Sequence, residues 1–375
     1  MNNLPHLPLI DGCLPVDNSH WMDPLQTCDR LLEYESLRGR ISTGEATALN
    51  FGTAQHLTRE YRYKVYRDQP LDQAYFNGCA DILSSFFNDH PSPVDDFRSL
   101  NWAIEVSRQY DKRWSKENFR LMRYEKSKVC DHCGGIGENC YFCGCSGGTD
   151  MMVELSFIHR FHLHKLSNGL FHLLTPEQRK WVIELGGIWI LYCGRIDLPI
   201  VIDNRIWVMD FKTTSILGEV FWNRMKMSSQ QKGYCWAFKE LTGKDVAGYI
   251  VRAIRTKEPP KYVVEGTTSR GGKTQSPEQW WEESLQENRE YVSNEKLNDW
   301  KQNTIELIEK MFWQYERGFF PMSTESCTKW GRCQYFDVCQ MLPAERLVVL
   351  NSGLFKSNDW SPLKQPTQCQ PLITT

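Results

Sequence analysis

A chain of 375 residues that is 41% hydrophobic and 24% charged has the material of a globular protein with a sizeable core. A net charge of −2 rules out a bulk electrostatic grip on a polyanion, so any nucleic-acid contact must come from local patches. No run approaches the apolar length of a membrane span, and "MNNLPHLPLIDGCLPVDNSHW" lacks the basic start and apolar stretch of a secretory signal.

The chain is rich in Trp (14), Tyr (15) and Phe (18), rings that pack well and also stack on bases. Its 14 cysteines fall in short-spaced clusters rather than the dispersed pattern of a disulfide framework. That spacing points to a reducing cytoplasm with cysteines that hold metals.

In chain order, residues 24–41, 47–67, 71–90 and 100–119 read as helices. A Cys/Gly-rich island at 130–148 follows. The period then shifts to strands in "MMVELSFIHRFHLH" and "GIWILYCGRID", a hairpin in "PIVIDNRIWVMDFK", and a further strand in "DVAGYIVRAIRTK". An amphipathic helix, "SSQQKGYCWAFKELTG", lies between the last two, a loop covers 266–277, and helices are expected over about 278–317. The expected organisation is an extension (1–23), a helical region (24–128), a zinc-knuckle insertion (129–150), a core of sheet and helix (151–258), a C-terminal helical and Cys-rich segment (259–345) and a disordered tail (346–375).

The hairpin poses a chemical problem. A two-residue turn at Asp203-Asn204, types that tolerate positive φ, makes Ile202 face Arg205, Val201 face Ile206 and Asp197 face Asp210. The last pair falls on a rung where Cβ atoms approach to about 4.5–5.5 Å, and directly opposed like charges are unfavourable there. Lys212, two residues beyond Asp210, projects from the same face. Two carboxylates and an amine on one face can seat a hard divalent cation with a water beside it, or can simply be charges facing solvent.

Asp197-x12-Asp210-x-Lys212 resembles the PD-(D/E)XK nuclease superfamily. Three features resemble its RecB-like exonuclease branch: "FGTAQH", with Gly52 and His56 in a G-x3-H spacing; "QQKGY", with Gln230 and Tyr234 in a Q-x3-Y spacing; and Glu154 on the preceding strand. The resemblance spans roughly 24–340, with Asp210 where the family usually carries Glu. It implies an α/β, restriction-endonuclease-like core, a small mixed sheet flanked by helices, and a metal-dependent DNA exonuclease serving recombination, repair or processing. His56, Asp197, Asp210 and the Phe211 carbonyl would hold Mg2+ or Mn2+, and the imidazole favours Mn2+. Lys212 would position or deprotonate the attacking water, and Gln230 and Tyr234 would touch the DNA backbone. Glu154 is read as an outer partner or a plain strand residue and not as a ligand. The implied partners are single-stranded DNA or DNA ends and a protein such as a helicase or recombinase. The alternative is a DNA-binding scaffold that has lost catalysis; the joint presence of Asp197, Asp210 and Lys212 argues against it.

Cys327-x5-Cys333-x5-Cys339, with Cys28 near the start, resembles the iron–sulfur variant of these nucleases, of the AddB and CRISPR-adaptation type. The resemblance implies a 4Fe–4S cluster on thiolates that staples the two ends of the chain, although the first gap is longer than the usual C-x2-C. Separately, Cys130-x2-Cys133 and Cys140-x2-Cys143, each pair followed by glycine, read as two knuckles around one tetrahedral Zn2+. Arg59, Arg62, Lys64 and Arg67, the run Lys112 to Lys128, and Arg252, Arg255 and Lys257 are candidate DNA-backbone tracks. His159, His162, His164 and His172 read as a solvent-facing strand and loop.

Overall fold

The computed structural model describes residues 4–44, 47–66, 69–123, 152–269, 272, 274–328 and 332–358. Ten strands are labelled here: β1 (Cys13–Val16), β2 (Arg40–Ser42), β3 (Arg120–Leu121), β4 (Leu155–His164), β5 (Ile188–Ile196), β6 (Leu198–Ile202), β7 (Arg205–Thr214), β8 (Val246–Arg255), β9 (Leu285–Tyr291) and β10 (Phe355–Ser357). The main helices are α1 (Thr47–Val65), α2 (Gln73–Asp89), α3 (Leu100–Arg113), α4 (Pro176–Leu185), α5 (Ser229–Thr242), α6 (Pro277–Ser284), α7 (Asn294–Arg317) and α8 (Pro343–Leu350).

The strands form a five-stranded sheet in the order β3-β6-β7-β8-β9, a three-stranded sheet β1-β5-β4 and a β10-β2 pair. The five-stranded sheet is mixed: β7 and β8 run parallel, and the other neighbours are antiparallel. A parallel pair needs a crossover, and α5 lies in the connection between β7 and β8. Helices cover both faces, as expected of a mixed α/β, restriction-endonuclease-like architecture. On one face Trp207, Met209, Phe211 and Ile250 pack with Phe51, Ala54 and Tyr63 of α1 and Ala103, Val106 and Tyr110 of α3. On the other, Val208, Tyr249 and Val251 pack with Tyr234, Trp236 and Phe238 of α5.

The hairpin register is the expected one, from Ile202↔Arg205 to Leu198↔Met209. Asp203 and Asn204 take φ of 49° and 58°, the paired positive values of a two-residue turn. Two glycines also have a packing reason. A Cβ on Gly52 would meet Thr213 Oγ1 at 3.0 Å, so its absence lets α1 lie close on β7. A Cβ on Gly194 would come within 2.6 Å of the Phe157 ring.

Several expectations fail. The helix expected at 24–41 is broken into short pieces, with Cys28 extended (φ −162°, ψ 116°) between the helices Asp23–Thr27 and Asp29–Leu32. "LQENREY", expected to be helical, is β9, paired antiparallel to β8 from Gly248↔Tyr291 to Ile254↔Leu285. Its Glu, Gln and Arg favour helices, but β8 offers an open edge, and pairing overrides that weak preference. The expected disordered tail is ordered as far as residue 358: α8 forms, and β10 pairs with β2 while Phe355 stacks on Tyr335. Residues 359–375 lie outside the described residues, as do Cys130, Cys133, Cys140 and Cys143. Among the described residues, no helix is long and apolar enough to cross a membrane.

Candidate active site

Asp197 stands alone between Ile196, the last residue of β5, and Leu198, the first of β6, where one extended run passes from one sheet into the other. Its main-chain carbonyl accepts the Glu154 N–H at 2.8 Å, and its Oδ2 accepts the Phe211 N–H at 2.8 Å. The side chain is thereby pinned across to β7, next to Asp210. Glu154 has φ of +54°, a left-handed conformation that a side-chain-bearing residue adopts at a cost of about 1–3 kcal/mol. Strain of this kind is characteristic of functional positions.

His56, on α1, brings Nδ1 to 3.5 Å from Asp197 Oδ2 and 4.0 Å from Glu154 Oε1. Ligand-capable atoms of His56, Glu154 and Asp197 all lie within 4.8 Å of one another. Burial and then the neighbouring Asp197 push the Glu154 carboxyl well above its ordinary range, against the pull of Arg195 at 3.8 Å. Burial also raises Asp197, with Asp210 acting the same way and His56 and Lys212 opposing. A buried and a largely buried carboxylate that repel each other around an imidazole are the donor set a divalent cation would relieve. The residues present therefore fit such an ion.

Asp210, 1% exposed, pairs with Lys212, whose Nζ lies 2.9 Å from Oδ2, and accepts a 3.1 Å bond from Gln231 Nε2. Burial would depress the Lys212 ammonium, yet Asp210 and Asp197 outweigh it and hold the pKa above that of an ordinary lysine. Phe211 contributes its N–H to Asp197, and its ring stacks on Tyr63 at 6.0 Å. Gln230 donates to Tyr234 Oη at 2.8 Å; Tyr234 is 7% exposed and packs edge-on against Phe157. The tyrosine sits in the core, and the neighbouring glutamine is the one aimed at the acidic pair.

Residues 154–340 match the PD-(D/E)XK nuclease superfamily. The chain carries a domain of that superfamily. The nuclease domain so defined begins at Glu154 and takes in Asp197, Asp210, Lys212, Gln231 and the C-terminal cysteines. His56 and Cys28 are brought to it by the preceding segment. No curated protein matches the chain. Among solved structures, a candidate exonuclease from Eubacterium rectale aligns over 84% of this chain and 82% of its own at 13% identity, with a TM-score of 0.39, too loose a likeness to carry an argument.

Sequence reasoning singled out Glu154 without taking it for a ligand, and did not single out Gln231. Glu154 sits just before β4, and only the left-handed turn there swings it to Asp197. Gln231 lies beside the motif glutamine, and only the phase of α5 shows which of the two faces Asp210.

The candidate DNA tracks are corrected in part. Arg59 is 1% exposed and lies over the Tyr110 ring, and Arg62 pairs with Asp111 at 2.6 Å. Arg252, 3% exposed, is bound by both Glu117 oxygens at 2.8 Å and by Glu287 at 2.9 Å. These arginines are internal struts, whereas Lys112, Arg113, Lys116, Arg120 and Arg123 are exposed.

At the far end, Cys28, Cys327, Cys333 and Cys339 are half-buried at one junction. Cys28 Sγ accepts the Ser323 N–H at 3.4 Å. Burial pushes the Cys339 thiol up to about 11; Cys28, Cys333 and Cys327 act in the same direction and Arg30 against them.

Proposed function

We propose that the chain is a metal-dependent deoxyribonuclease that removes nucleotides from DNA ends. The observation that carries this reading is the His56, Glu154 and Asp197 cluster beside the Asp210–Lys212 pair, four of its five residues in a domain of a nuclease superfamily.

In this reading His56, Glu154 and Asp197, with Asp210 and the Phe211 carbonyl alongside, hold Mg2+ or Mn2+. Such an ion supplies a water that is nucleophilic near neutral pH and neutralises charge on the scissile phosphate. The Lys212 ammonium faces the negative charge that builds on the phosphate oxygens. Gln231 helps fix the rotation of the Asp210 carboxylate, whose two oxygens hold the lysine at 2.9 and 3.0 Å. His56 keeps its position through the α1 contact at Gly52. The exposed cations Arg120 and Arg123 edge a cleft of about 690 Å³ that also includes Tyr66 and Phe119. Cations with interleaved rings suit a single-stranded end.

The same reading gives Cys28, Cys327, Cys333 and Cys339 a 4Fe–4S cluster: thiolates are its donors, and the Cys28–Ser323 contact already brings both chain ends to one place. Zn2+ on Cys130, Cys133, Cys140 and Cys143 completes the metal inventory.

The test is digestion of end-labelled linear and closed circular DNA with Mn2+, Mg2+ or EDTA, with Lys212→Ala alongside. Cation-dependent loss of linear DNA only, abolished in the variant, is the expected result. Cleavage that is indifferent to cation or to the lysine would overturn the proposal.

A further inference from the structure

Strand β4 ends in "HRFHLH", and its pairing with β5 slips there: Arg160 opposes Leu191 and His162 opposes Ile190, leaving Phe161 as an extra residue. One inserted residue exchanges the faces that the rest of the strand presents. His159, before the slip, packs edge-on against Trp236 of α5. His162 and His164, after it, both turn to α7 and meet Glu309.

The fit is close on both sides. His162 Nε2 lies 2.6 Å from Glu309 Oε1, and His164 Nδ1 lies 2.6 Å from Oε2. Ligand-capable atoms of all three fall within 4.8 Å of one another. The His164 ring lies flat on Phe312, centroids 4.0 Å apart and planes at 11°, which fixes its rotation. Phe312 is one helical turn beyond Glu309, so α7 presents the carboxylate and the platform from one side. His164 Nδ1 is buried and its approach to Glu309 Oε2 does not have the geometry of a well-aligned hydrogen bond.

We propose that His162, His164 and Glu309 form a second metal centre, for a borderline transition cation of the Zn2+ class, fastening α7 to the edge strand β4. Two imidazoles and a carboxylate suit Zn2+ and its neighbours and leave further positions for water, whereas Mg2+ and Ca2+ favour all-oxygen sets. Glu316, further along α7, adds negative charge near His164. The centre is separate from the nuclease cluster: His162 lies eight residues along the strand from Glu154, about 25 Å at roughly 3.3 Å per residue. With α7 bridging β4 and the segment that holds Cys327, the bound ion would brace the two ends of the domain.

The experiment strips the full-length protein with EDTA, re-equilibrates it with Zn2+ by dialysis, and measures metal per chain in wild type, His162→Ala/His164→Ala and Glu309→Gln. The cysteine sites are common to all three, so the difference isolates the proposed centre. The expected result is one equivalent fewer in each variant, with affinity at this site weakened by more than about 100-fold, since even outer partners of a ligand change affinity by ~10–100-fold. Glu309→Gln keeps the volume and hydrogen-bonding capacity of the side chain, so it remains informative if the double variant does not fold. A Zn2+-induced rise in the unfolding midpoint, present in wild type and reduced in Glu309→Gln, is expected in parallel. Equal zinc content and equal midpoint shifts in wild type and Glu309→Gln would overturn the proposal, leaving the histidines as ion-pair partners only.

Discussion

Replacing Glu154 with Gln should make the metal-free protein more stable and the enzyme inactive. In the folded state Glu154 and Asp197 present oxygens within 4.8 Å of each other. Two full charges at that separation repel by about 3.5 kcal/mol at an effective dielectric constant of about 20. Arg195, 3.8 Å from Glu154, and His56, 3.5 Å from Asp197, offset part of this, so the expected gain is about 1–2 kcal/mol, or a few degrees in midpoint.

The pH dependence gives a sharper signature. The Glu154 carboxyl is raised in the folded state, so the folded protein binds its proton more tightly than the unfolded chain does. Stability from this group is fully present below the ordinary glutamate value and is lost as pH rises toward the raised folded value. The gap between the Glu154→Gln variant and wild type should therefore be small near pH 4 and widen toward pH 8. Thermal unfolding in EDTA across that range measures it. Adding Mn2+ should raise the wild-type midpoint, by about 2.7 kcal/mol of stabilisation at a hundredfold excess over Kd, and raise the variant's much less. A variant less stable than wild type in EDTA at pH 8, or a gap constant with pH, would refute the argument that the site holds unrelieved negative charge.

Lys212→Ala should lower the rate by about 10²–10³, the usual loss on removing one group that stabilises transition-state charge, with an unchanged circular dichroism spectrum. Cys28→Ser and Cys333→Ser should each abolish the visible absorbance of a purified iron-loaded sample, although the two positions lie near opposite ends of the chain; colour retained in either would remove that residue from the ligand set. Arg252→Ala should destabilise by about 3–5 kcal/mol in urea unfolding, because it removes the buried cation shared by Glu117 and Glu287 and leaves Glu117 only Arg62 and Glu287 only Arg289. Arg252→Ala with wild-type stability but weakened DNA binding would return this arginine to the DNA track.

The hairpin was legible because its turn residues and side-chain period fix the register without help from the rest of the chain. That register puts Asp197 and Asp210 one rung beyond the last pair, Leu198↔Met209, with Lys212 two residues on. The strand β9 was not legible, since its composition suits a helix and only the edge of β8 makes it a strand. For the same reason charge runs misled: Arg62 and Arg252 look like surface cations until Asp111, Glu117 and Glu287 are seen to come from distant segments. His162 and His164 were misread because alternation predicts a face, and the extra residue at Phe161 reverses it. The approach of Glu154 to Asp197 was not legible because it depends on one positive φ, which no residue type signals for glutamate.

These misses share a cause that also explains where the site sits. Glu154 introduces the three-stranded sheet, Asp197 is the point where the chain leaves that sheet for the other, and His56 arrives on a helix packed against β7. No single element contains the cluster, so its geometry exists only once both sheets and α1 have docked. A buried acidic pair would oppose that docking, and Glu154 adds backbone strain. The sequence accepts both costs at the one place where a divalent cation would reverse the electrostatic one. Stability and activity are therefore opposed at Glu154, and a neutral side chain there should separate them.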